Sequence, residues 1–70
     1  MTKKLAENLT NLRKEKGLKQ TDMALLLKIN NRQYQRYESG DSDPKLDTLI
    51  ALADYFDCTL DYLVGRSDKK

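Results

Sequence analysis

Gln20-Thr21-Asp22-Met23-Ala24-Leu25-Leu26-Leu27, then Lys28-Ile29-Asn30, then Asn31-Arg32-Gln33-Tyr34-Gln35-Arg36-Tyr37-Glu38-Ser39-Gly40 reads as helix, break, helix. Met23, Ala24 and Leu27 mark the buried side of the first helix, and Asp22 suits its positive end. Asn30 followed three residues later by Gln33 is a capping-box pattern, so the second helix should start at Asn31. Gly40 should stop it.

Upstream, Leu5, Leu9 and Leu12 recur at i, i+4 and i+7, which predicts a helix over residues 2–16 with one apolar stripe. Gly17 supplies a left-handed stop, and Arg13, Lys14 and Lys16 lie where the helix dipole favours cations. Downstream, Asp41-Ser42-Asp43-Pro44 is a polar loop, with Asp43 and Pro44 expected as N-cap and first residue of a fourth helix. That helix carries Leu46, Leu49, Ile50, Leu52, Ala53 and Phe56. Thr59 should cap a short fifth helix over residues 60–64, closed by Gly65. The expected architecture is all-α, a compact five-helix bundle. Residues 1–65 form the domain and residues 66–70 a polar, loose tail.

Seventy residues allow one small domain. Val occurs once and Leu dominates the apolar set, so helix is favoured over sheet. A single cysteine, Cys58, and no histidine leave no disulfide framework and little metal or thiol chemistry. No apolar run approaches the roughly 18 residues of a membrane span, and the first residues lack a signal-peptide pattern. A cytoplasmic protein without membrane association is expected. Charge is unevenly divided: residues 1–36 hold nine Lys/Arg against three acids (+6), and residues 37–70 hold four against eight (−4). A basic half suits a polyanion, although ordinary solvated charge would look the same.

At about 100° per residue, the helix after Asn30 separates Tyr34 and Tyr37 from a stripe of Asn31, Arg32, Gln35, Arg36 and Ser39. Arg pairs with guanine and Asn or Gln with adenine, and the stripe has no carboxylate to repel phosphate. Alone, such a face could simply be solvated. Two short helices around a three-residue break match a helix-turn-helix, whose second helix enters the major groove.

The residues Leu18-Lys19-Gln20-Thr21-Asp22-Met23-Ala24, Leu27-Lys28-Ile29-Asn30 and Arg36-Tyr37-Glu38-Ser39-Gly40 resemble the phage-repressor-like (XRE-type) helix-turn-helix family. Pro44, Leu46-Asp47-Thr48-Leu49, Leu52-Ala53-Asp54-Tyr55-Phe56 and Thr59-Leu60-Asp61-Tyr62-Leu63 extend the resemblance over roughly residues 5–65. It implies a lambda-repressor-like fold with the motif in the second and third helices. It also implies base contacts from Asn31, Arg32, Gln35 and Arg36, and phosphate contacts from Gln20, Gln33 and Ser39, with Lys28 added by its charge. Arg13 and Glu38 match a salt bridge joining the first and third helices; as a surface pair it would contribute only about 0–1 kcal/mol. Three departures stand out. Lys28 replaces a turn glycine, Lys19 replaces a serine cap, and Asp41 and Asp43 make a usually basic loop acidic.

Other readings are weaker. Tyr34, Tyr37, Tyr55 and Tyr62 could stack on single-stranded bases, but their spacing among leucines fits a core. Asp41 and Asp43 lack the remaining ligands of a calcium loop. Cys58, between Phe56 and Leu60, is expected as a small buried hydrophobe. No glycine-rich phosphate loop or nucleophile–base pattern suggests an enzyme, a cofactor or a small-molecule ligand. The expectation is a regulator, in the repressing sense, of phage, mobile-element or restriction–modification type. It would bind double-stranded DNA at a near-palindromic operator as a homodimer through Tyr55, Tyr62, Leu63 and Val64. The alternative is an antitoxin or other protein-interaction module, disfavoured because no partner-binding extension follows the last helix.

Overall fold

The computed structural model describes residues 3–70, which form α1 Lys3–Glu15, α2 Gln20–Leu27, α3 Asn31–Ser39, α4 Leu46–Tyr55 and α5 Leu60–Leu63. Among the described residues no strand occurs. Thr2, the expected start of α1, lies outside them. The α1 stripe of Leu5, Leu9 and Leu12 is buried, together with Met23 and Ala24 of α2, Tyr34 and Tyr37 of α3, Leu49, Leu52 and Ala53 of α4, and Phe56 and Leu63. Leu27 packs against this core from its margin. α1 touches both α3 and α5, so it joins the α2–α3 pair to the α4–α5 pair.

The helix-turn-helix closes through its own backbone. Lys28 adopts a left-handed conformation (φ 59°, ψ 42°), which lets the Ile29 N–H donate to Ala24 O at 3.0 Å. A side chain there costs roughly 1–2 kcal/mol relative to glycine. Asn30 Oδ1 then accepts from the Gln33 N–H at 2.8 Å, starting α3. Only half of the expected capping box forms, because the Gln33 amide turns away and donates to Ser42 Oγ at 3.2 Å. At the start of α2 the lysine makes no side-chain cap. Instead Asp22 Oδ2 accepts from the Lys19 N–H at 2.8 Å. α3 ends at Gly40 (φ 86°), with the Asp41 N–H donating to Arg36 O at 3.0 Å.

Two local expectations need correction. α4 begins at Leu46 with Lys45 as N-cap, not at Pro44 with Asp43. Pro44 is buried in a non-helical approach. The fixed φ of proline suits an extended or turn segment as well as a first helical turn, so its presence could not set the boundary. Residues 66–70 also fold back onto the domain. The N–H groups of Arg66 and Ser67 donate to Asp61 O, the Thr59 N–H donates to Lys70 O, and Lys70 Nζ reaches Glu15 Oε1 at 3.3 Å. The open carbonyl at the end of a one-turn helix draws these donors in. α5 itself ends at Leu63, with Val64 as its C-cap.

Candidate nucleic-acid interface

Asn31, Arg32, Gln35 and Arg36 are all exposed on α3. Arg32, Gln35, Arg36, Ser39 and Asp41 line one open groove. Among the described residues no side chain or carbonyl holds the side chains of Asn31, Arg32, Gln35 or Arg36. Opposite them, Tyr34 and Tyr37 are buried, their rings edge to face at 6.3 Å. α3 is thus pinned by two aromatic rings on one side and offers amides and guanidinium groups on the other.

The four expected phosphate-facing residues are not alike. Lys28 and Ser39 are exposed, with Ser39 Oγ donating to Arg36 O at 3.1 Å. Gln33 and Gln20 are half-buried. Gln33 is held to Ser42, and Gln20 Nε2 donates to Glu38 Oε1 at 3.1 Å.

Arg13 and Glu38 meet in a two-pronged pair, with Nε to Oε2 at 2.7 Å and Nη2 to Oε1 at 3.1 Å. The pair is not a surface one, since the side chains are only 11% and 5% exposed. α1 and α2 close over it because Glu38 lies on the flank of α3 beside the buried Tyr34. Arg13 also donates to Leu18 O at 2.8 Å, which fixes the α1–α2 turn. Thr10 Oγ1 lies 3.1 Å from Glu38 Oε1, and the Tyr34 hydroxyl donates to Oε2. Burial on its own would raise the Glu38 pKa, but hydrogen bonds from Arg13, Tyr34 and Gln20 and the Arg13 charge hold it below the usual carboxylate range. The hydrogen bond that Arg13 donates to Glu38 keeps the guanidinium charged more firmly than usual. Burial, then the bond to Glu38, pushes the Tyr34 hydroxyl up, so it stays a donor.

Sequence reasoning missed Thr10, Tyr34 and Asn8 as network residues. Asn8 is buried on α1, and its Nδ2 donates to Tyr62 O at 2.8 Å, tying α1 to the end of α5. The signal was present: Asn8 falls at i+3 from Leu5, a polar residue on the apolar side. Thr10 and Tyr34 gave no such signal, because their roles depend on where Glu38 lands.

The proposed self-association residues divide. Tyr55 is exposed, and Lys16 Nζ lies 5.1 Å from its ring centre. Tyr62 and Val64 are half-buried against the core. Leu63 is fully buried and cannot serve as a surface contact. The single turn of α5 must turn one large side chain inward to dock, and Leu63 is that side chain. Cys58 is half-buried, and burial pushes its thiol pKa up, consistent with an inert packing role. Among the described residues no group of three His, Cys, Asp or Glu could hold a metal ion. No helix among them is long and apolar enough to cross a membrane.

The chain is similar to the "HTH-type transcriptional regulator AnsR" of Bacillus subtilis (strain 168), at 45% identity over 64 residues, covering 91% of this chain and 55% of that one. It is also similar to the "Cryptic phage CTXphi transcriptional repressor RstR" of Vibrio cholerae, at 36% identity over 63 residues, covering 90% of this chain and 56% of that one. A solved transcriptional regulator from Listeria innocua superposes with a TM-score of 0.86 at 42% identity, over 94% of this chain and 62% of that one. The chain spans little more than half the length of the curated relatives it matches. Residues 9–63 match the family model described as helix-turn-helix, and with the superposition of the whole bundle this places the chain in the XRE-type helix-turn-helix family.

Proposed function

We propose that this domain binds double-stranded DNA sequence-specifically and regulates transcription, in the repressing sense. The observation that carries the reading is the unpartnered, carboxylate-free stripe of Asn31, Arg32, Gln35 and Arg36 on a helix anchored by buried Tyr34 and Tyr37. In a helix-turn-helix such a stripe faces base edges in the major groove, where Arg reads guanine and Asn or Gln reads adenine. Lys28, Ser39, Gln20 and Gln33 supply phosphate contacts, and affinity therefore falls steeply with salt. The repressing sense is supported by the relative named as a phage repressor. A homodimer using exposed Tyr55 with the outer parts of Tyr62 and Val64 sets two α3 helices about 34–36 Å apart on a near-palindromic site. The protein acts in the cytoplasm, where its DNA target lies.

Selection of bound sequences from a random duplex pool tests this directly. Recovery of two related half-sites spaced by about one helical turn is the expected result. A pool with no enrichment over input would sink the sequence-specific reading. On the recovered site, Arg32→Ala should cost about 1–3 kcal/mol at one base position and little elsewhere. An equal loss on unrelated sequences would make Arg32 a phosphate contact instead.

A further inference from the structure

We propose that Glu38 is a positioning residue for Gln20, setting its side-chain amide so that one N–H is held inward and the other is presented to a DNA phosphate. This rests on the DNA-binding reading above. Glu38 receives Arg13 Nε at 2.7 Å, Arg13 Nη2 and Gln20 Nε2 each at 3.1 Å, and the Tyr34 hydroxyl, while the single Thr10 hydroxyl proton is shared between Glu38 Oε1 at 3.1 Å and Ala6 O at 2.9 Å. A carboxylate offers about four lone-pair sites, so these approaches saturate it. It can only accept. The Gln20 side facing it is therefore the nitrogen, because an amide oxygen turned toward a carboxylate would be repelled.

That assignment decides what Gln20 can do outward. Its Nε2 carries two N–H groups. One is taken by Glu38, and no described residue accepts the second. A freely rotating glutamine would offer its oxygen, which phosphate repels, as often as its nitrogen. Here the choice is made during folding, and the loss of rotamer freedom is not charged to binding. The two anchors of Glu38, Arg13 on α1 and Tyr34 on α3, also fix Gln20 relative to the stripe on α3. A phosphate held by Gln20 thereby places the bases against Asn31 and Arg32.

A double-mutant cycle on binding to a mixed-sequence duplex tests the idea, with folding of each variant followed by circular dichroism. In the wild type, Gln20→Ala should weaken binding about 10-fold, the loss of one hydrogen bond to a charged group. The slope of log K against log salt should stay unchanged, since glutamine displaces no counterion. In Glu38→Gln, whose amide lets Gln20 turn either way, Gln20→Ala should cost less than about twofold. An equal cost in both backgrounds overturns the positioning role. No cost in either shows Gln20 to be a clamp between helices, which also overturns it. Absence of salt-dependent binding by the wild type would instead remove the DNA reading itself. If Glu38→Gln does not fold, the Gln20 side-chain amide protons of the wild type are read by NMR during duplex titration. A shift confined to the proton not bonded to Glu38 supports the proposal, and no shift at either proton overturns it.

Discussion

Arg13 and Glu38, 25 positions apart in sequence, form a largely buried bidentate pair at 2.7 and 3.1 Å that locks α1 to α3. Removing one partner of such a pair strands the other charge, at a cost of about 3–5 kcal/mol. A 70-residue domain has roughly 4–10 kcal/mol of stability in total. Glu38→Ala should therefore leave the protein partly unfolded at room temperature. Urea denaturation is the measurement, and a loss under about 1 kcal/mol would return the pair to the weak surface class.

The same carboxylate predicts acid sensitivity. In the folded protein the Glu38 pKa lies below its ordinary value, whereas in the unfolded chain it titrates near about 4.3. Between those two values the unfolded state binds more protons, so stability rises with pH across the window. The contribution is complete above about pH 4.3 and is lost as pH falls through the lower folded value. Melting temperature measured against pH should drop more steeply below about pH 4.3 in the wild type than in Glu38→Gln. Parallel curves would show that Glu38 is not a source of the acid response.

Lys28 and Asp57 are the described non-glycine residues with positive φ, at 59° and 55°. Lys28→Gly should relieve most of the roughly 1–2 kcal/mol of left-handed strain, less the extra entropy glycine gives the unfolded chain. The net gain is about 1 kcal/mol, or about 4–8 °C in melting temperature for a domain of this size. Asp57→Gly should gain less, because aspartate visits that conformation more readily than lysine. A lowered melting temperature for Lys28→Gly would mean that its side chain stabilises the turn by a contact outweighing the strain.

Period and punctuation made most of the fold legible. α2 and α3 follow the expected limits because Gln20, Asn30, Asn31 and Gly40 are local signals, whose caps form within a few residues of themselves. The strained Lys28 was visible for the same reason. The α4 boundary was not, since Pro44 obeys tertiary burial. The site divides likewise. Exposure of Asn31, Arg32, Gln35 and Arg36 follows from helical angle alone. The inward turn of Gln20 and the burial of Arg13 and Glu38 depend on how α1 closes over α3, which no short window of sequence records. Leu63 was misplaced because a one-turn helix is too short for periodicity to choose its buried side.

That misplacement gives its own prediction. Leu63→Ala should destabilise the domain by about 2–5 kcal/mol, the range for emptying a filled core position. Tyr55→Ala, at an exposed position, should change monomer stability far less. In sedimentation, the proposed homodimer should weaken with Tyr55→Ala without unfolding. In Leu63→Ala it should appear only together with lost helicity. A well-folded Leu63→Ala variant with reduced dimerisation would contradict the burial of Leu63.

Asp41 is the one carboxylate among the residues lining the groove with Arg32, Gln35, Arg36 and Ser39. It stands just past the end of α3, where its backbone N–H is held by Arg36 O and its side chain is left at the surface. A phosphate about 6 Å away in water would be repelled by roughly 0.7 kcal/mol. Asp41→Asn should therefore strengthen binding to a duplex about threefold at low salt. The gain should be shared by related and unrelated sequences alike and shrink as salt screens the charge. The opposite sign carries a different meaning, because a carboxylate can also accept from the N4 amine of cytosine. Weaker binding confined to one base pair of the selected site would make Asp41 a reader of sequence, and the repulsion argument would be wrong.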